Sequence, residues 1–449
     1  MNLRPRRNVR LEATIIEAGV SYAALAAHVR AVAAENGDRS VRTNSSAVTH
    51  WVNSTLPRPA TVAYLVEALA RLLGRPITAA DVGLCSPGPE MQPDPVKGLA
   101  ELGRLDVQRR QFLAVFSLPL VAAAVGDPAE LTGRARVAAG RGIIGNAEVE
   151  VVRTVVDTFT KADERLGGGA GRTAVAEYLA SDATAYLQGR FANGRVRAQM
   201  HAAVAELARL AGWTAYDAGH SGLAQRYYVY ARQLAAESEP GHTAFIMRLM
   251  AHQGIDLGHG RACIDLAEAA VTTGRGRVDS ATLGQLHLAA ARTHAAAGDG
   301  RAARAALTIA ERCMTHPVDD ADRPWWALAM GTPGPLLATH TAKALRDLSD
   351  PAVARHLQTS ADRWNPATHP RVRALNLVDL GGYHAQRGSL EHACGAWSEA
   401  LQLLDGVSSA RARTAVTGIR AALTPYRRRG GSEVGRIDTA AARWLAAHH

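Results

Sequence analysis

The stretch LGGYHAQRGSLEHACGAWSEALQLL, Leu380 to Leu404, decides the fold. Leu380 and Gly381 belong to one helical run, and Gly388 breaks the chain. Ala393, Trp397 and Ala400 then recur at helical spacing along one side of a second run. A small, large, small row lets that helix approach its neighbour closely while the large side chain fills the gap. The spacing returns upstream. Gly219 precedes Ala224, Tyr228 and Ala231; Ala262, Leu266 and Ala269 follow; Gly298 precedes Ala303, Leu307 and Ala310. A weaker copy, Ala354, Gln358 and Ala361, comes after the turn SDP. The copies lie roughly 38 to 51 residues apart, which suits helix-turn-helix pairs with long connections.

Two of these segments, LAGWTAYDAGHSGLAQRYYVYARQLA and the stretch quoted first, resemble tetratricopeptide repeats. The resemblance implies stacked helix pairs with a concave face that offers a groove to a peptide, a small molecule or a partner helix. Alanine is abundant and aromatic residues make up only 5% of the 449-residue chain, so the expectation is an all-α protein. The predicted plan is an N-terminal helical domain (1–84), a proline-rich linker (85–97, holding CSPGPEMQPDP), and a helical connecting region (98–200). Repeats (201–429) and a C-terminal tail with a short helix (430–449) complete it.

The N-terminal domain carries the functional signal in VSYAALAAHVRAVAAENGDRSVRTNSSAVTHWVNSTLPRP. Ser21 suits a helix cap, and Tyr22, Leu25, Ala26 and Val29 share one face of the helix it opens. After a polar turn, Thr43 or Asn44 caps a second helix in which Val48, Trp51 and Val52 face inward. Ser45, Ser46, Thr49, His50 and Asn53 face outward, a set of hydroxyls, an amide and an imidazole suited to base edges in a major groove. The pattern resembles the Cro and phage-repressor type of helix-turn-helix, the XRE class. Ser54 stands where that class usually has glycine in the Trp51–Pro57 turn, and the connection between the two helices is longer than usual.

Residues 1–84 hold ten arginines against six acidic residues. Arg4, Arg6, Arg7 and Arg10 are expected to form a phosphate-binding arm, with Arg39, Arg42 and Arg58 flanking the recognition helix. The overall charge of +10 says less, because nearly all of it is arginine; lysine occurs only at 97, 161 and 343. The order of helix-turn-helix, proline linker and repeats resembles a group of actinobacterial regulators of differentiation and secondary metabolism. That resemblance implies a cytoplasmic transcription factor, commonly a repressor, with double-stranded DNA as partner. A homodimer is expected, together with a peptide or small-molecule effector held in a groove formed by Trp213, Tyr216, Arg226, Tyr227 and Tyr230. The competing reading is a protein-interaction adaptor that binds no specific DNA.

Other signals lead elsewhere and are set aside. VQRRQFLAVFSLPLVAAAVGDP, Val107 to Pro128, has the form of a twin-arginine export signal but lies too far from the N-terminus, unless translation starts at Met91. It reads as part of an amphipathic helix ending at Pro119. GGGAGRT (167–173) lacks the lysine of a phosphate loop and reads as a turn. Cys85, Cys263, Cys313 and Cys394 form no metal-ligand spacing, and His252 with His259, like His287 with His294, lacks a third ligand. No catalytic motif, metal site, cofactor motif or membrane-length apolar run is found, so no enzymatic activity, cofactor or membrane insertion is expected.

Overall fold

The computed structural model describes residues 7–35, 38, 40–53, 55–75, 77, 79, 81–84, 94–111, 143–315, 323–328, 331–426 and 431–448. The chain is all-α. The N-terminal unit consists of α1 (Val9–Glu17), α2 (Tyr22–Glu35), α3 (Ser45–Asn53) and α4 (Pro59–Leu73). Each start has a chemical cause. Asn8 Oδ1 accepts from the Leu11 amide at 3.1 Å, Ser21 Oγ from Ala24 at 3.1 Å and Asn44 Oδ1 from Ala47 at 2.9 Å; Pro59 opens α4. Leu11, Leu25, Val29, Val48, Leu65 and Leu69 fill a core of the unit's own. Arg10 lies within α1 rather than on an arm. Arg7 ion-pairs with Glu12, while Arg4, Arg6 and Arg39 fall outside the described residues.

α5 (Pro95–Gln111) begins inside the expected linker, where Asp94 Oδ1 accepts from the Val96 amide at 3.0 Å. Leu99 and Leu102 are buried. Side chains at 108–111 and all of 112–142 lie outside the described residues, and with them most of the twin-arginine-like stretch. Then follow α6 (Asn146–Leu166), α7 (Arg172–Tyr178), one π-helical turn and the short α8 (Thr184–Leu187). A two-residue strand on each flank, β1 (Ile143–Ile144) and β2 (Arg190–Phe191), pairs in parallel. Residues 167–171 do form a turn: Gly168 N donates to Asp217 Oδ2 at 2.9 Å and Gly169 N to the Ser408 carbonyl at 3.0 Å.

The repeats are antiparallel helix pairs. They are α9 (Gly194–Asp217) with α10 (Ser221–Ala236), α11 (Pro240–Asp256) with α12 (Ile264–Gly274), and α13 (Ser280–Ala296) with α14 (Gly300–Thr315). After the short α15 (Trp325–Leu328) come α16 (Pro333–Asp347) with α17 (Val353–Arg363), and α18 (Pro370–Gln386) with α19 (Leu390–Leu403). α20 (Ala410–Leu423) and α21 (Gly431–Ala447) close the chain. The fit within a pair is visible at its glycines. A Cβ on Gly212 would lie 2.7 Å from the Tyr228 ring, on Gly284 2.3 Å from Met314, and on Gly381 2.4 Å from Trp397 Nε1.

Two repeats differ from the sequence expectation, one at all three positions and one at two. In α12 the buried row is Cys263, Ala267 and Ala270, because a 3₁₀ turn at Arg261–Cys263 rotates the entry into the helix. In α17 it is Val353, Leu357 and Ala361, while Gln358 faces solvent and donates to Asp362. The C-terminal segment is no tail either: Val434, Ile437, Ala441 and Trp444 of α21 are buried in the core shared with α18 and α19.

Candidate functional site

Two surfaces deserve a chemical reading, one on the N-terminal unit and one inside the array. On α3, Val48, Trp51 and Val52 are buried, whereas Ser45, Ser46, Thr49, His50 and Asn53 are all exposed. Arg42 and Arg58 are exposed at its two ends. The Thr49 hydroxyl donates to the Ser45 carbonyl at 2.9 Å, which fixes its rotamer and leaves its lone pairs outward. The helix is held from beneath: Asn8 N donates to the Val52 carbonyl at 2.6 Å, and Arg30 binds the Thr43 carbonyl.

The first helices of successive pairs, α9, α11, α13, α16 and α18, line the inside of the array, and their inward faces carry charge where the helical period calls for apolar side chains. On α11, Leu249 shares the lining with Arg248, His252 and Asp256. The array closes around this interior because its two ends meet. Arg371 of α18 is buried and donates to Asp217 Oδ2 at 2.7 Å and to Asp163 Oδ2 at 2.8 Å. Trp213 Nε1 reaches the same Asp163 oxygen at 2.9 Å, and Ser409 Oγ donates to Asp217 Oδ1 at 3.0 Å. Burial pushes the Asp163 carboxyl up against the pull of Arg371. An open concave groove was expected; the interior instead narrows to a partly enclosed chamber of about 150 Å³.

The ionic groups in its wall and packed behind it fall into two kinds. Some are bonded out. Glu206 meets Arg209 Nε at 2.6 Å and His242 Nε2 at 2.9 Å, and although burial acts to raise its carboxyl, these partners hold it below the usual range. Tyr216 donates to Asp256 at 2.7 Å; burial opposes ionisation of that carboxyl, but Arg292, Lys343 and Arg411 keep it low. Others are left open. Nε and Nη2 of Arg248, both ring nitrogens of His252, Nδ1 of His340 and Nε of Arg292 are buried with no hydrogen-bond partner among the described residues. The His252 and His340 rings stack with centroids 4.5 Å apart. Burial, reinforced by neighbouring cations, brings Arg248 down to about 9 and both imidazoles well below their ordinary value; burial likewise brings Lys343 down to about 8.

The five residues expected to form an effector groove do not meet. Trp213 and Tyr216 line the chamber, with Arg411 over both rings at 5.5 and 5.2 Å. Tyr227 and Tyr230 are buried toward α5 instead: Tyr227 donates to Asp106 at 3.2 Å, and Tyr230 packs on Gly98. Asp106 in turn ion-pairs with Arg172. Arg226, beside Tyr227, is not part of the chamber wall. The residues that do form it, Arg248, His252, Arg292, His340 and Lys343, were missed. Their signal was a cation or imidazole interrupting the apolar face of each inner helix. No group of three or more metal-ligating side chains gathers among the described residues, and no single helix there is long and apolar enough to cross a membrane.

A family model described as the SP15 N-terminal domain matches residues 11–85, a span that covers nearly all of the N-terminal unit and none of the array. Among curated proteins, none matches the chain.

Proposed function

We propose that this chain is a one-component transcriptional regulator, acting as a repressor in the cytoplasm. The N-terminal unit binds double-stranded DNA through α3, and the helical array dimerises and receives an effector. The observation that carries the reading is the exposed face of α3, where Ser45, Ser46, Thr49, His50 and Asn53 are open to solvent on a helix whose other side is locked into a core. A single helix of this kind fits the major groove, and the exposed Arg42 and Arg58 would supply phosphate contacts beside it. The resemblance of the segment to XRE-class helix-turn-helix domains agrees with this.

The test is a binding selection on fragmented genomic DNA with the full-length protein, followed by titration of the recovered site at several salt concentrations. A regulator selects a defined, two-fold related sequence and loses affinity steeply as salt rises. A protein-interaction adaptor selects nothing.

A further inference from the structure

We propose that the chamber inside the array is a binding site for a small organic anion, with a carboxylate or phosphate-ester head joined to a ring-sized apolar body. The role of such a ligand as effector rests on the regulator reading above; the binding itself rests on the chamber alone.

Two buried arginines line the chamber and differ in what meets them. Arg371 is buried and its charge is met by carboxylates on both of its terminal nitrogens, although its Nε has no hydrogen-bond partner among the described residues. Arg248 is equally buried, at 1% exposure, yet no carboxylate lies within ion-pair distance of it among the described residues. Its Nε and Nη2 have no partner there. A structural arginine meets a carboxylate as Arg371 does, because a desolvated charge without a counter-charge destabilises a fold. The Phe245 ring, 4.7 Å from its guanidinium carbon, meets the charge of Arg248 only in part, and water would satisfy its hydrogen bonds without neutralising it. Lys343, at the chamber mouth, likewise has no ion pair among the described residues.

The open donors converge. Arg248 and His252 are one turn apart on α11, the His252 ring stacks on His340 of α16, and all three line the inner chamber. Buried and neutral, each imidazole offers one N–H, and the guanidinium offers a fork that matches the two oxygens of an oxyanion. Around them stand Leu210, Leu249, Leu336, Trp213 and Trp364, which can take an apolar body but no second charge. A volume of about 150 Å³ is that of one aromatic ring. Arg292, Lys343 and Arg411 also border an outer basin of about 780 Å³, so a longer ligand extends outward past them. The same helix leads to the N-terminal unit. α11 ends in a turn whose His259 lies 2.9 Å from Glu67 of α4, which gives an occupant of the chamber a short mechanical route to the DNA-binding half.

The experiment is calorimetric titration of the full-length protein, without DNA, using benzoate, phenyl phosphate, benzyl alcohol and inorganic phosphate. At least one aromatic anion is expected to bind tenfold or more tightly than both benzyl alcohol and inorganic phosphate; which one leads identifies the head as carboxylate or phosphate ester. Arg248→Met, which keeps volume and removes charge, is expected to weaken that binding at least tenfold with the melting temperature unchanged or raised. Lys343→Met, at the more accessible mouth, is expected to weaken it by a smaller factor and gives a second reading if Arg248→Met does not fold. No aromatic-anion binding at millimolar concentration, equal binding of benzyl alcohol, or inorganic phosphate binding as tightly would overturn the proposal. So would a melting temperature lowered in Arg248→Met together with unchanged anion affinity in Lys343→Met. DNA binding is scored separately: anion binding without operator selection sinks the regulator reading alone, and operator selection without anion binding sinks this one alone.

Discussion

Nε2 of His259 lies 2.9 Å from Oε1 of Glu67, joining the turn after α11 to the middle of α4. Glu67 is also held by Arg71 Nε at 2.8 Å; burial works to raise its carboxyl, and His259 and Arg71 together keep it low. This contact sits at the junction of two cores that are otherwise separately packed. Replacing His259 by alanine removes a half-buried, charge-assisted bond worth about 1 kcal/mol. Native-state amide exchange should then accelerate about fivefold in α4 and stay unchanged in α13 and α18. Unchanged exchange in α4 would show that the two halves do not support each other through this bond.

Replacing Thr49, His50 and Asn53 together by alanine is expected to abolish selection of the operator while leaving the protein folded. All three side chains are exposed, so little packing is lost. Their removal takes away base-edge contacts worth about 1 to 3 kcal/mol each. Replacing Arg42 and Arg58 should instead weaken binding to every sequence and reduce its salt dependence. A triple variant that still selects the same site would place recognition elsewhere on the unit.

Acidification should destabilise the protein in a defined window. His252 and His340 are held well below their ordinary value of 6.5, by burial first, then by Arg248, Arg292 and Lys343 for His252, and by the His252 ring, Arg292, Lys343 and Arg248 for His340. In the unfolded chain both rings titrate near about 6.5, so below that pH the unfolded state binds protons that the folded state refuses. Their stabilising contribution is complete above about pH 6.5 and is lost as pH falls, by up to about 1.4 kcal/mol per unit for each ring. Urea midpoints measured between pH 7.5 and about 5.5 should therefore fall. The double change His252→Gln, His340→Gln should flatten that slope. A midpoint that rises on acidification would contradict the assignment.

The closure of the array should depend on Arg371. Changing it to alanine leaves Asp163 and Asp217 buried without their cation, which is expected to cost about 3 to 5 kcal/mol. Adding Asp163→Asn and Asp217→Asn should recover much of that, since neutral amides need no counter-charge. Equilibrium urea unfolding reads both effects, and an additive further loss in the triple variant would rule out the charge argument.

The helix-pair rows were legible because they are local. Ala393, Trp397 and Ala400, or Ala224, Tyr228 and Ala231, state their common face within three turns of chain. The faces of α3 were legible for the same reason. The shift in α12 comes from how the helix is entered, through a 3₁₀ turn that periodicity does not encode. The chamber was hidden for a different reason. Arg371 meets Asp163 across 208 residues and Asp217 across 154, so no window of sequence holds the pair. Tyr227 and Tyr230 misled because an aromatic beside an arginine reads as a binding face, whereas their partners Asp106 and Gly98 lie on α5.

Two adjacent glycines should respond to the same substitution with opposite signs. Gly381 and Gly382 both lie inside α18, where glycine is about 1 kcal/mol worse than alanine on backbone entropy alone. A methyl group on Gly382 would meet nothing within 4 Å, so Gly382→Ala should raise stability by roughly 0.5 to 1 kcal/mol. A methyl group on Gly381 would fall 2.4 Å from Trp397 Nε1 and 2.6 Å from its Cδ1. That indole is almost wholly buried and donates to the Val378 carbonyl at 3.3 Å, so it has no free direction in which to retreat. Gly381→Ala must separate α18 from α19 or displace the ring, with a penalty of about 1 to 3 kcal/mol that outweighs the entropic gain. Thermal unfolding of the two single variants decides the matter, and if both gain stability the small-against-large pairing is not what sets the distance between the helices of a repeat.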